Sequence, residues 1–235
     1  MRETMLKVSG LNQYYDESHI LWDLSMDAVV GSCTCIMGRN GVGKTTLLKS
    51  IMGLLPIRSG KILFDGKDLT KEAAENRARL GIGYVPQGRE IFGQLTVEEN
   101  LKIALGANRN KTNKIPEKIY ELFPVLKEML QRKGGDLSGG QQQQLAIGRA
   151  LVLEPRLLIL DEPCEGIQPN IVSQIGDVIK LLNQEENISV IMVEQKLAFA
   201  RRIADQFCII EKGRNVANGT IDELTDDLVN QYLTV

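Results

Sequence analysis

The chain has 235 residues, 43% hydrophobic and 25% charged, with a net charge of −2. That length suits one domain, or one domain with a subdomain, and buries most of its apolar surface without disulfides. The slightly acidic balance points away from nucleic acid as a partner, and no apolar run approaches the roughly 18 residues of a membrane span.

The opening "MRETMLKVSG" has no apolar stretch of signal-peptide type, so no secretion signal is expected. Cys33, Cys35, Cys164 and Cys208 form no CxxC pair and His19 is the only histidine. Reduced cysteines of a cytosolic protein are the expectation, and a zinc site is not. The sequence shows neither an internal repeat nor a low-complexity tract.

The segment "SCTCIM" (32–37) reads as a strand buried on both faces of a parallel sheet. It runs into "GRNGVGKTT" (38–46), where Gly38, Gly43, Lys44 and Thr45 match G-x-x-x-x-G-K-[ST]. Glycine costs about 0.5–1 kcal/mol relative to alanine inside a regular element, so such a loop needs a reason. The reason is phosphate chemistry. The glycines let the backbone across Arg39, Asn40, Gly41 and Val42 curl so that consecutive amides point inward at phosphate oxygens. The following helix, "TTLLKSIM", adds the positive end of its dipole. Lys44 is expected to neutralise β/γ-phosphates and Thr45 to ligate Mg²⁺, with Thr46 completing the phosphate site.

Residues 88–153 hold few strand candidates. "PEKIYELF" and "VLKEML", separated by Pro124, predict a mostly helical subdomain inserted between two parts of the sheet, 1–87 and 154–235. "LLIL" (157–160) is the next strand, ending in Asp161 and Glu162. After a phosphate loop, a strand-end aspartate reads as a Mg²⁺-shell group and the adjacent glutamate as the base for an attacking water. Ile171, Ile175, Val178, Ile179 and Leu182 recur at helical spacing. "ISVIMV" (188–193) and "QFCII" (206–210) are further strands, and the alternation implies an α/β fold. In the tail, Thr220 and Glu223 stand at capping-box spacing and predict a last helix.

Between the phosphate loop and the acidic pair lies "LSGGQ", Leu137 to Gln141. With that order of motifs the whole chain resembles the ATP-binding subunits of ABC transporters. The resemblance implies a P-loop NTPase core with a mostly parallel sheet, an N-terminal antiparallel β part and the helical insertion. It implies a head-to-tail dimer in which Ser138, Gly139, Gly140 and Gln141 cover the γ-phosphate of the opposite subunit's ATP. A hydroxyl and bare amides at a helix start suit an anion, although a Ser-Gly start also serves as a plain helix cap. By the same likeness Tyr15 stacks on adenine, with Tyr14 as competitor, and Gln87 in "YVPQG" meets Mg²⁺ and the attacking water. The segment "EGIQP" (165–169) stands where the family carries a dimer-contacting loop.

One position departs from the family. Where a histidine usually touches the γ-phosphate, the strand ends "MVEQK" and Gln195 stands instead. Glutamine can donate a hydrogen bond but cannot become cationic. One such neutral bond contributes about 0.5–1.5 kcal/mol, and active hydrolysis is expected because the other groups are intact. Cys164 replaces a usual threonine and is expected to matter little. The Val-Glu-Gln ending resembles ATPase subunits of branched-chain amino acid and urea importers. "LNQYYDESHIL", "EGIQPNIV" and "YLTV" are most like the urea type. The implied partners are a second ABC ATPase subunit (an identical one in isolation or a different one in the transporter), transmembrane permease subunits and, indirectly, a solute-binding protein. The implied location is the cytoplasmic face of the membrane. A soluble ABC ATPase acting on DNA or ribosomes is the other reading, but the chain has no sustained heptads and no basic patch.

Overall fold

An antiparallel hairpin of β1 (Thr4–Tyr15) and β2 (Ser18–Val29) begins the chain. Along β2 the second half alternates buried and exposed, as a sheet with one covered face requires. After it come β3 (Cys33–Met37) and α1 (Lys44–Ile51), then β4 (Ser59–Phe64) and β5 (Lys67–Asp68), which complete a sheet in the order β2-β1-β4-β5. The computed structural model describes residues 3–108 and 110–234. The first two residues of "MRETMLKVSG" and the last of "YLTV" lie outside them.

Next are α2 (Ala74–Arg79) and β6 (Ile82–Val85), then four helices: α3 (Val97–Ala104), α4 (Lys118–Leu122), α5 (Pro124–Glu128) and α6 (Gly139–Leu151). Pro124 does more than separate two helices: it stands at the first helical position of α5, where its missing N–H costs nothing. Alternating elements then close the chain: β7 (Leu157–Asp161), α7 (Pro169–Gln184), β8 (Ser189–Val193), α8 (Leu197–Ile203), β9 (Gln206–Glu211), β10 (Arg214–Thr220) and α9 (Asp226–Tyr232).

The second sheet runs β10-β9-β3-β8-β7-β6, parallel except for β10 at its edge. All residues of β3, β7 and β8 are buried, so both faces must be covered. Cys33, Cys35 and Met37 point to one apolar layer with α6 and α7. Ile36 points to the other, shared with α1 and the antiparallel sheet. The sheet is thus the middle of three layers.

The tail departs from expectation. Thr220 and Glu223 do form a capping box, but around a single 3-10 turn, Ile221–Glu223. Helix α9 starts later, where the Thr225 side chain accepts from the Leu228 amide. Gly219 and Thr220 are still paired with Phe207 and Gln206 in the sheet, which holds the backbone extended.

Candidate active site

Strand β3 delivers the phosphate loop at the carboxyl edge of the parallel sheet. Two glycines there have no substitute. A Cβ on Gly38 (φ 146°) would lie 2.3 Å from the Ile210 carbonyl oxygen, and one on Gly43 (φ 105°) 2.8 Å from Leu21. Gly41 has open space around it. Lys44, first residue of α1, is buried, and its ammonium donates to the carbonyls of Gly38 (2.7 Å) and Arg39 (2.8 Å). Burial pushes its pKa below the usual lysine range, opposed by the charges of Glu162 and Asp161.

Strand β7, in register beside β8, brings the acidic pair to the same edge. Asp161 is 1% exposed and, among the described residues, neither carboxylate oxygen has a hydrogen-bond partner. Burial raises its pKa, while the nearby Thr45 hydroxyl, Lys44 and Lys49 pull it back. Glu162 turns out of the strand with φ 50°, in the left-handed region. Two neutral amides hold its carboxylate: Gln195 Nε2 donates to Oε1 at 2.5 Å and Gln87 Nε2 to Oε2 at 3.3 Å. Gln195 also donates to Asn40 Oδ1 (2.9 Å), so it ties the glutamate to the phosphate loop. Gln87 reaches Glu165 Oε2 at 3.1 Å as well.

Lys44, Thr45, Thr46, Gln87, Glu162 and Gln195 line one cleft of about 730 Å³. Tyr15 stands at this cleft, 45% exposed, whereas Tyr14 is stacked on His19 with ring centroids 4.0 Å apart. Arg39 and Val42 do not line it: Arg39 donates to the Thr234 carbonyl and Val42 packs against the apolar layer of α1.

The Ser138 segment is elsewhere. Ser138 caps α6 through a full capping box: its Oγ accepts from the Gln141 amide, and Gln141 Oε1 accepts from the Ser138 amide at 2.9 Å. With Gly139, Gly140 and Gln141 it lines a second cleft of about 740 Å³, which shares no residue with the first.

Sequence reasoning missed Glu194 and Lys196 and gave Glu165 only as part of a dimer-contacting loop; all three line the first cleft. Glu194 is 4% exposed, accepts from the amides of Gln195 and Lys196 through Oε1, and among the described residues leaves Oε2 without a partner. Its signal was present: like Asp161 it is an acid directly after a continuous apolar strand. Lys196 Nζ donates to the Cys164 carbonyl (2.8 Å). Cys164 itself is fully buried, and burial raises its thiol pKa.

A lysine-bearing glycine loop facing a strand-end Asp-Glu pair is the geometry of a nucleotide-hydrolysing site. The family model for the ABC transporter matches residues 21–165, from β2 through the acidic pair. The chain belongs to the ABC transporter family. It is the ATP-binding subunit, an ATPase. A probable branched-chain amino acid transport ATP-binding protein of Archaeoglobus fulgidus is 39% identical over 223 residues, 94% of each chain. A high-affinity branched-chain amino acid transport ATP-binding protein of Pseudomonas aeruginosa is 39% identical over 219 residues, 92% of this chain and 93% of that one. Among solved structures, a nucleotide-free ATP-binding cassette from an ABC transporter superposes with a TM-score of 0.83 at 27% identity, covering 97% of this chain and 94% of that one. The ADP conformation of another cassette gives 0.80 at 28%, with 95% of both chains covered. Among the described residues of the ATPase, no helix is long and apolar enough to cross a membrane.

Proposed function

We propose that this ATPase powers an importer for urea, working as a head-to-tail dimer at the cytoplasmic face of its permease subunits. The observation that carries the dimer is the separation of the two clefts: the Ser138 segment lines none of the chain's own phosphate-loop cleft. An anion-binding helix start without its own phosphate has its use on a second subunit.

The roles follow from the contacts. Loop amides and the α1 dipole grip the triphosphate. Lys44 leaves the carbonyls of Gly38 and Arg39 for the β/γ-oxygens, a charged acceptor in place of two neutral ones. Tyr15 supplies a free aromatic face for adenine, since Tyr14 is already stacked. Magnesium suits the donor set, because Asp161 has two buried oxygens without partners and Thr45 stands beside it. Thr45, Asp161 and Gln87 would hold the ion, which neutralises charge on the phosphate oxygens. Glu162 is the base for the attacking water. Gln195 aims it from the phosphate-loop side through one carboxylate oxygen and Gln87 through the other. A partner's Ser138, Gly139, Gly140 and Gln141 cover the γ-phosphate.

Glu162→Gln tests the base and the dimer together. The variant is expected to bind ATP, lose about 10²–10⁴-fold in turnover, and accumulate as an ATP-bound dimer in light scattering. A monomeric variant, or one with near-normal turnover, would remove the reading.

Urea rests on the segments "LNQYYDESHIL" and "EGIQPNIV". The second reading, a branched-chain amino acid importer, is favoured by the printed names of the two relatives at 39% identity. Reconstitution with the permease subunits separates them: ATPase stimulation by a urea-loaded binding protein supports the first, and by a leucine-loaded one the second.

A further inference from the structure

We propose that Arg89 is a positioning residue that ties the first turn of α6 to the loop carrying Glu162, and so couples the two ATP sites of the dimer. The proposal rests on the head-to-tail reading above. In such a dimer each chain gives Glu162 to its own ATP and Ser138 to its partner's. A link between those two groups inside one chain is therefore a link between sites.

The backbone around Arg89 is forced. Arg89 (φ 72°) and Glu90 (φ 47°) are consecutive non-glycine residues in the left-handed region, an arrangement that persists only when its surroundings impose it. Arg149 of α6 imposes it. One nitrogen of its guanidinium donates to the carbonyls of Glu90 (2.8 Å) and Arg89 (3.4 Å), and the group lies over the Phe92 ring. The turn sends the Arg89 side chain back to the start of the same helix. There Nη1 donates to Gln142 Oε1 (3.4 Å), and Nη2 donates to the Glu165 carbonyl (3.2 Å) in the loop beyond Glu162. Gln142 and Arg149 are seven residues apart, two turns along one face of α6. The helix thus grips this loop at two points, and the fork of Arg89 reaches across to the catalytic loop.

Electrostatics supplies the second observation. A cation beside a helix N-terminus opposes the helix dipole. The Arg89 guanidinium sits against the bare backbone of Gly139, where a Cβ would be 3.3 Å from Nη1. Its acceptors are a neutral amide and a neutral carbonyl, and among the described residues it forms no salt bridge. An anion arriving at the Ser138 segment relieves that conflict. The same guanidinium holds the Glu165 carbonyl, and Glu165 shares Gln87 with Glu162. Occupancy of the partner's site is thereby felt at the chain's own base.

The test is the ATP dependence of hydrolysis in Arg89→Ala, Arg89→Lys and Gln142→Ala. Lysine keeps the charge but cannot fork to two elements. The parent is expected to hydrolyse with a Hill coefficient approaching about 2, the limit for two sites. In the two Arg89 variants it falls to about 1, and Gln142→Ala falls part of the way. ADP affinity of the isolated chain stays within about twofold of the parent, since Arg89 does not line the phosphate-loop cleft. Folded Arg89 variants that keep the parent's Hill coefficient would overturn the proposal. Should Arg89→Ala not fold, an unchanged Hill coefficient in Arg89→Lys and Gln142→Ala would do the same, and so would a parallel loss of ADP affinity. A parent with a Hill coefficient of 1 and no ATP-driven Glu162→Gln dimer would remove the dimer itself, and the coupling with it.

Discussion

Glu162 is clamped by two amides, and the clamp changes the weight of Gln195. Gln195 holds the carboxylate of Glu162 and Asn40 of the phosphate loop together, and a hydrogen bond to a charged group contributes about 1.5–3 kcal/mol. Gln195→Ala is therefore expected to lower kcat about 10- to 100-fold while leaving ADP affinity near its parent value, in phosphate-release and binding assays. Asp161 makes the opposite trade. Its folded-state pKa is raised above the unfolded one, so the folded chain holds more protons in the window just above the ordinary aspartate range. Stability therefore falls as pH rises through that window. Asp161→Asn removes the buried charge. It is expected to stabilise the nucleotide-free chain at pH 7 by about 1 kcal/mol, which at this size is about 2–4 °C in melting temperature, and by less near pH 4. Hydrolysis is lost in the same variant. A melting-temperature gain that did not shrink on acidification would contradict the assignment. The role of Glu165 was hard to read in the sequence for a physical reason. Gln87 and Glu165 meet across 78 residues, a contact that only the fold makes, whereas the phosphate loop is local and its spacing alone carries its chemistry.

Elements were legible in proportion to how completely one rule governs them. Strands β3, β7 and β8 are buried on both faces, so each is a continuous apolar run that the sequence shows directly. Strand β1 is twelve residues long, yet its register against β2 shifts between Thr4 and Leu6 and again at three points between Val8 and Tyr14. Those irregularities break the period of two on which strand reading depends. Edge strand β10 is only half covered and has no apolar run at all. Helix α6 illustrates one residue serving two ends. Ser138 both caps the helix and stands in the "LSGGQ" segment proposed to cover a partner's ATP, so Ser138→Ala is expected to cost about 0.5–2 kcal/mol of stability as well as the ATP-driven dimer. Asparagine caps as well as serine does. Ser138→Asn is expected to restore the melting temperature but not the dimer, and recovery of both would leave the segment with a capping role only.

At the scale of the molecule, the three layers set the two clefts apart. The sheet carries Lys44 and Glu162 at the carboxyl ends of β3 and β7, the usual place for ligands in a parallel sheet. Helix α6 opens on its own cleft, with Ser138 exposed at its start. On the proposed head-to-tail reading one chain presents two half-sites, and closing either needs a second chain in the opposite direction. Mixing two variants tests this most directly. On the proposed roles Glu162→Gln lacks the base and Ser138→Asn the group that covers the partner's γ-phosphate, so neither alone is expected to hydrolyse ATP. A mixed dimer contains one site with the intact Glu162 of one chain facing the intact Ser138 of the other. Phosphate release is expected to return when the two inactive variants are combined before ATP is added. If the mixture stays as inactive as its components while both bind ATP, each chain completes its site alone and the head-to-tail account is wrong.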